Sequence, residues 1–372
     1  MVIRPRRLPA AALAAFALAA LFFALAARGG MGAGRDAVDV SAKDGFIKWV
    51  DFTPPYWLLK KTLDLDVGSR HVQGGGGDGA AYDWIGLLAY LGAKYGGDFK
   101  RCREKDLTAL TARLDAGETI ESITCDMKNF GYYMEAYTAV LGGFVGGYRV
   151  QTEGPDGEKV WQERYGLKAF SPVAKGYYYN DYDDFGVSRT YGYRRRHLGH
   201  DLMGSVGTPI IAVESGTVEE LGWNQYGGWR VGIRSFDGKR YYYYAHMRRG
   251  RPYHASVEKG ETVTAGDVIG YMGRTGYSLA EDVNNIEDPH LHIGMQLIFD
   301  ESQKEGSGEI WIDMYAITRL LSHNRSAVYR DENKEYHRTY AFEETRSRFV
   351  EVGDQKNLAL ADIKLARHFL DG

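Results

Sequence analysis

The sequence predicts a multi-domain chain: an N-terminal transmembrane or signal helix, a small all-α domain, then a mainly antiparallel β domain. Three observations predict it. Leu8 to Ala27, "LPAAALAAFALAALFFALAA", carry no charge. From Tyr82 to about Val145, apolar residues recur at helical spacing. After Tyr148, short alternating segments are separated by glycine turns, as in "GWRVGIRSFDGKRYYYYAHM" and "PHLHIGMQLIF", which is a strand-and-turn grammar. The boundaries read from these patterns are 1–40 for the leader and linker, 41–150 for the helical domain, 165–300 for the β domain, and 301–372 for a C-terminal helix and charged tail.

In the leader, Arg4, Arg6 and Arg7 precede the apolar run, the order of an export signal. The run is about long enough to span a bilayer as a helix, and the arginines would hold the N-terminus in the cytoplasm. The expectation is extracytoplasmic localisation with residues 8–27 anchored in the cell membrane, or secretion if the chain is cut near Ala26. Neither cysteine lies near this segment, which excludes a lipoprotein anchor. Residues 28–43 read as a linker, and "HVQGGGGDGAA" (71–81) as a flexible loop without the helix and lysine of a phosphate site.

The helical segment opens with "DWIGLLAYLGAKYG", apolar at Trp84, Leu87, Leu88 and Leu91. Its acidic residues read as solvated charge and its task is open. Cys102 and Cys125, the only two cysteines, could pair in an exported chain or remain free. They lie far from the histidines, so a cysteine-type zinc site is not expected. A net charge of −3 gives no case for nucleic acid. Most of the 27 tyrosines read as half-buried strand residues. "IWIDMYAITRLL" (310–321) reads as a helix, and the tail beyond Arg330 as peripheral helix or loose structure.

Chemistry concentrates in the β domain. In "EDPHLHIG", His290 and His292 are two apart on a strand and project from one face. Burying two imidazoles together is costly without an organiser, and a metal ion is the usual one. In "YRRRHLGHDLMG", His197 and Asp201 are four apart and can converge if the chain turns at Gly199. Two imidazoles and a carboxylate are a normal catalytic zinc set with one position left open. His197, Asp201 and one histidine of the pair would supply it, the other standing beside the open position. His246, in "YYYYAHM", has the strand parity of Tyr242 and Tyr244 and should share their face. A competing register pairs His197 with His200. Otherwise His200 and His254 read as polar surface.

The run His197-Leu-Gly-His-Asp201, "GTPIIAVESGTV" (207–218), "YAHM" (244–247), "VTAGDVIGYMGRTGYS" (263–278) and "PHLHIG" (289–294) together resemble the lysostaphin/LytM-type zinc peptidoglycan endopeptidases. The resemblance covers residues 165–300. It implies one zinc ion per chain held by His197, Asp201 and His292. It also implies that His246 and His290 are the two non-ligand active-site histidines, acting on the attacking water and the tetrahedral intermediate. The implied substrate is the peptide cross-link of bacterial peptidoglycan. The alternative is a non-catalytic wall-binding or enzyme-activating module of the same fold, although such modules lose ligands and all five positions are present here. One departure stands out: "LAEDVNNIED" (279–288) is inserted between the Thr-Gly-x-Ser turn and the Pro-His-x-His strand, at the rim of the expected cleft. Its Glu281, Asp282, Glu287 and Asp288 read as solvated loop charge or a second cation site.

Overall fold

The computed structural model describes residues 46–73, 82–190, 194–306 and 308–345. Helices in the first part follow local signals. Pro54 and Pro55 precede α1 (Tyr56–Gln73), where a missing N–H costs no helical bond. Asp83 accepts a hydrogen bond from the Gly86 N–H and caps α2 (Trp84–Tyr95), which Gly96 closes at φ 61°. There follow α3 (Glu104–Asp115), α4 (Ile120–Thr124) and α5 (Phe130–Leu141). Trp84, Leu87, Leu88 and Leu91 are all buried, as their periodicity predicts. Helices α2 and α5 approach closely at Gly92, where a Cβ would lie 2.9 Å from the Tyr133 ring.

The strands begin with a hairpin, β1 (Val145–Glu153) and β2 (Lys159–Leu167). Short pieces follow: β3 (Asn180–Asp181), β4 (Ser188–Thr190), β5 (Arg194–Arg196), β6 (His200–Met203) and β7 (Pro209–Ile211). The long strands are β8 (Gly216–Asn224), β9 (Gly228–Ser235) and β10 (Arg240–Ala245), followed by β11 (Thr262–Val263), β12 (Val268–Tyr271) and β13 (His290–Leu297). After these come β14 (Ile310–Ile312), α6 (Tyr315–Leu321), β15 (Val328–Arg330), β16 (Tyr336–Arg338) and β17 (Phe342–Glu344).

The main sheet is antiparallel, in the order β11-β8-β9-β10-β13-β6-β3. Strand β13 is its hub. One edge pairs with β10. Its other edge is shared, with β6 taking His290–Ile293 and β14 taking Met295–Leu297.

Behind the sheet, the helices and strands share one apolar core that includes Leu58, Tyr137, Ile233, Leu291 and Met295. A buried ion pair ties the two layers. The Arg240 guanidinium donates to Glu214 at 2.8 and 2.9 Å and to the Ala139 carbonyl of α5 at 2.7 Å. Tyr242 donates to the same Glu214 carboxylate at 2.7 Å.

Several segments differ from the sequence expectation. Residues 310–312 are strand, because Ile310 and Ile312 are buried against β13, and the helix starts only at Tyr315. The tail beyond Arg330 is not helix or loose coil up to Thr345. Strand β16 pairs with β15, and β17 pairs with β1, burying Phe342. Local charge hid these strands, whose stability comes from distant partners. Residues 71–73 are the last turn of α1. The expected leader helix at 8–27 and the glycine run at 74–81 lie outside the described residues. Among the described residues no helix is long and apolar enough to cross a membrane. Cys102 is buried, Cys125 is exposed, and both are free thiols.

Removing one partner from a buried ion pair strands the other charge, which costs about 3–5 kcal/mol. Glu214→Ala leaves Arg240 only its 2.8 Å contact to the half-exposed Asp237 carboxylate, so it is expected to lower unfolding stability by up to about that amount. Urea denaturation of variant and parent measures it. A loss below about 1 kcal/mol, the range of a surface pair, contradicts the layer-tying role.

Candidate metal centre and active site

The site is assembled by register. Asp201 on β6 lies directly across from His292 on β13, and His292 lies across from Ala245 on β10. Cross-strand neighbours point to one face, so Asp201 and His292 meet without any special turn. His290 and His292 both face the cleft, as the two-residue period predicts. His197 reaches the same point from the loop before β6.

Three polar atoms converge there. His197 Nε2 is 3.1 Å from Asp201 Oδ1 and 3.0 Å from His292 Nδ1, and His292 Nδ1 is 2.8 Å from Asp201 Oδ1. Among the described residues this is the one group of three or more potential metal-ligating side chains.

Hydrogen bonding cannot satisfy this triangle. The carboxylate brings no proton, and a ring nitrogen brings at most one. His197 Nδ1 is 3.0 Å from Asp184 Oδ1, and a carboxylate only accepts, so in the neutral ring the proton sits on Nδ1 and Nε2 is bare. One proton on His292 Nδ1 then serves at most one of its two contacts. A shared cation serves all three, and ligands around a tetrahedral ion at about 2.1 Å lie about 3.4 Å apart. The donor set therefore fits a divalent metal.

A ring of charge holds the triangle. Asp184 orients His197, and Arg189 donates to Asp184 and, at 2.6 Å, to Asp201 Oδ2. Partners of this kind fix ligand orientation. Burial works against the Asp201 carboxylate, but its contacts to His197 and His292 outweigh that and hold its pKa well below the usual range. Burial pushes His292 down, partly offset by Asp201, so the imidazole is in its neutral, metal-binding form. Sequence reasoning missed Asp184 and Arg189. Nothing in their local pattern marks them, and only the fold brings them beneath His197 and Asp201.

Gly199 acts differently from the expectation. Its φ is not positive. A Cβ there would lie 2.5 Å from His292 Cε1 and Nε2 and 2.8 Å from the Ile293 carbonyl, so the glycine makes room for the ring. His200 is corrected from surface to core. It is buried, it contacts the Thr318 hydroxyl through Nδ1 at 2.8 Å, and alternation along β6 turns it away from Asp201. The competing His197–His200 pairing does not form. His254 is half-buried, with Nδ1 2.8 Å from the Ser256 hydroxyl.

His246 also departs from its expected face. Tyr242 and Tyr244 point into the core, whereas His246 lines the cleft with Tyr243 and His292. The strand ends at Ala245, and His246 adopts φ 61°, which breaks the alternation. This uncommon backbone for a side-chain-bearing residue is held by the His246 N–H donating to Gly227 O at 2.7 Å. The His246 and His290 rings are 4.8 Å apart. Each has Nδ1 against a backbone carbonyl, Thr275 at 2.9 Å and Asp288 at 2.8 Å. A carbonyl only accepts, so each ring carries its proton on Nδ1 when neutral, leaving Nε2 open. Burial and the neighbouring His290 and His292 push His246 well below its ordinary pKa.

The insertion is fastened to the rim. Asp282 Oδ1 accepts from Trp229 Nε1 and the Gly250 N–H, both at 2.8 Å, so this carboxylate is paired and not simply solvated. The insertion's four acidic residues form no cluster of ligating groups. Its last residue, Asp288, supplies the carbonyl that orients His290.

Gly199→Ala is expected to displace the His292 ring. It should weaken divalent-metal affinity about tenfold or more and cost about 1–3 kcal/mol of stability. Chelator competition and urea unfolding measure the two effects. Unchanged affinity contradicts the tight seat assigned to His292.

Residues 195–304 match the model for peptidase family M23. Over 124 residues the chain is 36% identical to the L-Ala--D-Glu endopeptidase of Bacillus subtilis (strain 168), a stretch that is 33% of this chain and 36% of that protein. It is 36% identical over 119 residues to lysostaphin of Staphylococcus simulans, covering 32% of this chain and 20% of that one. Among solved structures, the catalytic domain of S. simulans lysostaphin is 30% identical, covering 38% of this chain and 92% of that one, with a TM-score of 0.30. The chain thus spans about a third of the length of the first relative and a fifth of the second. The likeness coincides with the stretch that carries His197, Asp201, His246, His290 and His292: residues 195–304 form a peptidase family M23 domain.

Proposed function

We propose that the chain is an exported zinc metalloendopeptidase that hydrolyses peptide bonds in bacterial peptidoglycan cross-links. The observation that carries this reading is the His197–Asp201–His292 triangle with two further imidazoles beside it. When bound, zinc supplies a Lewis acid for the scissile carbonyl and lowers the pKa of an attacking water. Two neutral imidazoles and one carboxylate are a donor set suited to that ion. The matched relatives named as an L-Ala--D-Glu endopeptidase and lysostaphin support a wall-peptide substrate. The charge-free run Leu8–Ala27 behind three arginines supports export and a membrane anchor.

The chain's own residues divide the proton work. Burial keeps His246 neutral, and its Nδ1–H is committed to Thr275, so Nε2 is the base that takes a proton from the attacking water. His290 lies 4.8 Å away, ring to ring, with Nε2 3.8 Å from Asp201 Oδ2. In its imidazolium form, with a second proton on Nε2, it can donate to the developing oxyanion, and the proton that His246 takes from the water is the one passed to the leaving amine.

Alanine variants separate ligand from base. His292→Ala is expected to lose both zinc and wall hydrolysis. His246→Ala is expected to keep zinc and lose about 10²–10⁴-fold in turnover, the usual share of general acid–base help. Elemental analysis, with mass spectrometry of peptides released from purified walls, reads both. Metal lost from the His246 variant but kept by the His292 variant reverses the roles. Hydrolysis that both variants retain unchanged removes this cleft as the active site, and a wild type that binds walls without releasing peptides favours a wall-binding module. For export, a phosphatase fused after Gly372 is expected to be active outside the cytoplasm, and activity confined to the cytoplasm contradicts it.

A further inference from the structure

The cleft continues from the metal-type triangle into a groove of about 570 Å³. Its floor is a run of aromatic rings. The Tyr243 centroid lies 6.0 Å from that of His292 and 6.4 Å from that of Trp311. Gly227 makes room for Tyr243, since a Cβ there would lie 2.0 Å from its phenol oxygen. Trp311 lies beyond the family-matched residues, so this chain builds part of the groove from its own C-terminal region.

Arg230, on β9, lines the same groove. It stands beside Tyr243: burial raises the Tyr243 phenol, and the Arg230 and Arg195 charges oppose that rise. The protein does not use Arg230 fully. Its Nε is buried and finds no hydrogen-bond partner among the described residues. Its Nη2 is 3.8 Å from Glu220 Oε2, beyond hydrogen-bond range. Glu220 also faces Lys259 at 3.6 Å. Another carboxylate at the groove, Glu309, accepts from Trp311 Nε1 at 2.8 Å. A dry, unpaired N–H is unfavourable, and a guanidinium offers a planar fork that matches a carboxylate.

We infer that Arg230 is a carboxylate-binding subsite, and that the substrate is a peptide bearing a free carboxylate on the residue lying along Tyr243, not an uncharged bridge. This rests on the peptidase reading above and adds the substrate's charge to it. A carboxylate entering there would meet the partly exposed Arg230 side chain, and the aromatic floor would carry the peptide backbone toward His292 and His246.

The test uses the zinc-loaded full chain and two synthetic wall-type peptides that differ only in one side-chain carboxylate or carboxamide. The wild type is expected to favour the carboxylate peptide about 10-fold or more in kcat/KM, the worth of a hydrogen bond to a charged group. Arg230→Gln is expected to bring that ratio within about threefold of unity, with the loss falling mainly on the carboxylate peptide. Arg230→Lys should restore part of it, as a point charge without the fork. Glu220→Gln removes the nearest competing carboxylate and should raise the ratio. Zinc content of each variant controls for folding. Equal cleavage of both peptides by the wild type, or an equal loss on both in Arg230→Gln, overturns the subsite while leaving the peptidase intact. A wild type that cleaves neither peptide nor intact wall removes the peptidase reading, and the subsite falls with it.

Discussion

His197 Nε2, Asp201 Oδ1 and His292 Nδ1 stand 2.8–3.1 Å apart, and no placement of protons satisfies all three contacts. A buried group of this kind is stable only if a positive charge sits at its centre. Much of the surrounding structure keeps these atoms in place. Register sets Asp201 opposite His292. Gly199 leaves space for the His292 ring. Asp184 and Arg189 close a ring of charge around His197 and Asp201. Each device pre-sets a ligand before any ion arrives, so binding need not order side chains.

Beside the triangle, the same scaffold prepares two imidazoles for a different task. His290 comes with His292 on one strand face, its ring oriented by the Asp288 carbonyl. His246 is brought in by a backbone conformation that costs of order 1–3 kcal/mol, offset by bonds to Gly227 and Thr275. Without that φ of 61°, alternation would have sent the ring into the core with Tyr242 and Tyr244. Strain here converts a core position into a cleft position. The layer behind the sheet is fixed by the core and by Arg240, whose contacts reach Glu214 and α5.

What was legible in the sequence follows from period and motif order. The two-residue period placed His290 and His292 on one face, and the helical period marked Trp84, Leu87, Leu88 and Leu91 as core. Local pattern failed where a distant partner decides. Strand β17 reads as charged tail, yet Phe342 is buried beneath β1. Ile310–Ile312 continue a helical pattern but pair with β13. His200 looks like a surface residue because its partner Thr318 is more than a hundred positions away. Asp184 lies only 13 residues before His197, but no spacing rule connects them. The reason for Gly199 was also hidden, since sequence shows a glycine but not the ring that needs its space.

The most direct test is a crystal structure of the zinc-loaded protein with anomalous diffraction collected across the zinc edge. The account predicts one ion per chain, about 2.0–2.2 Å from His197 Nε2, Asp201 Oδ1 and His292 Nδ1, with His246 and His290 outside the coordination sphere. An ion ligated by His246 or His290 in place of His292, or a triangle that stays empty while zinc binds elsewhere, would contradict it.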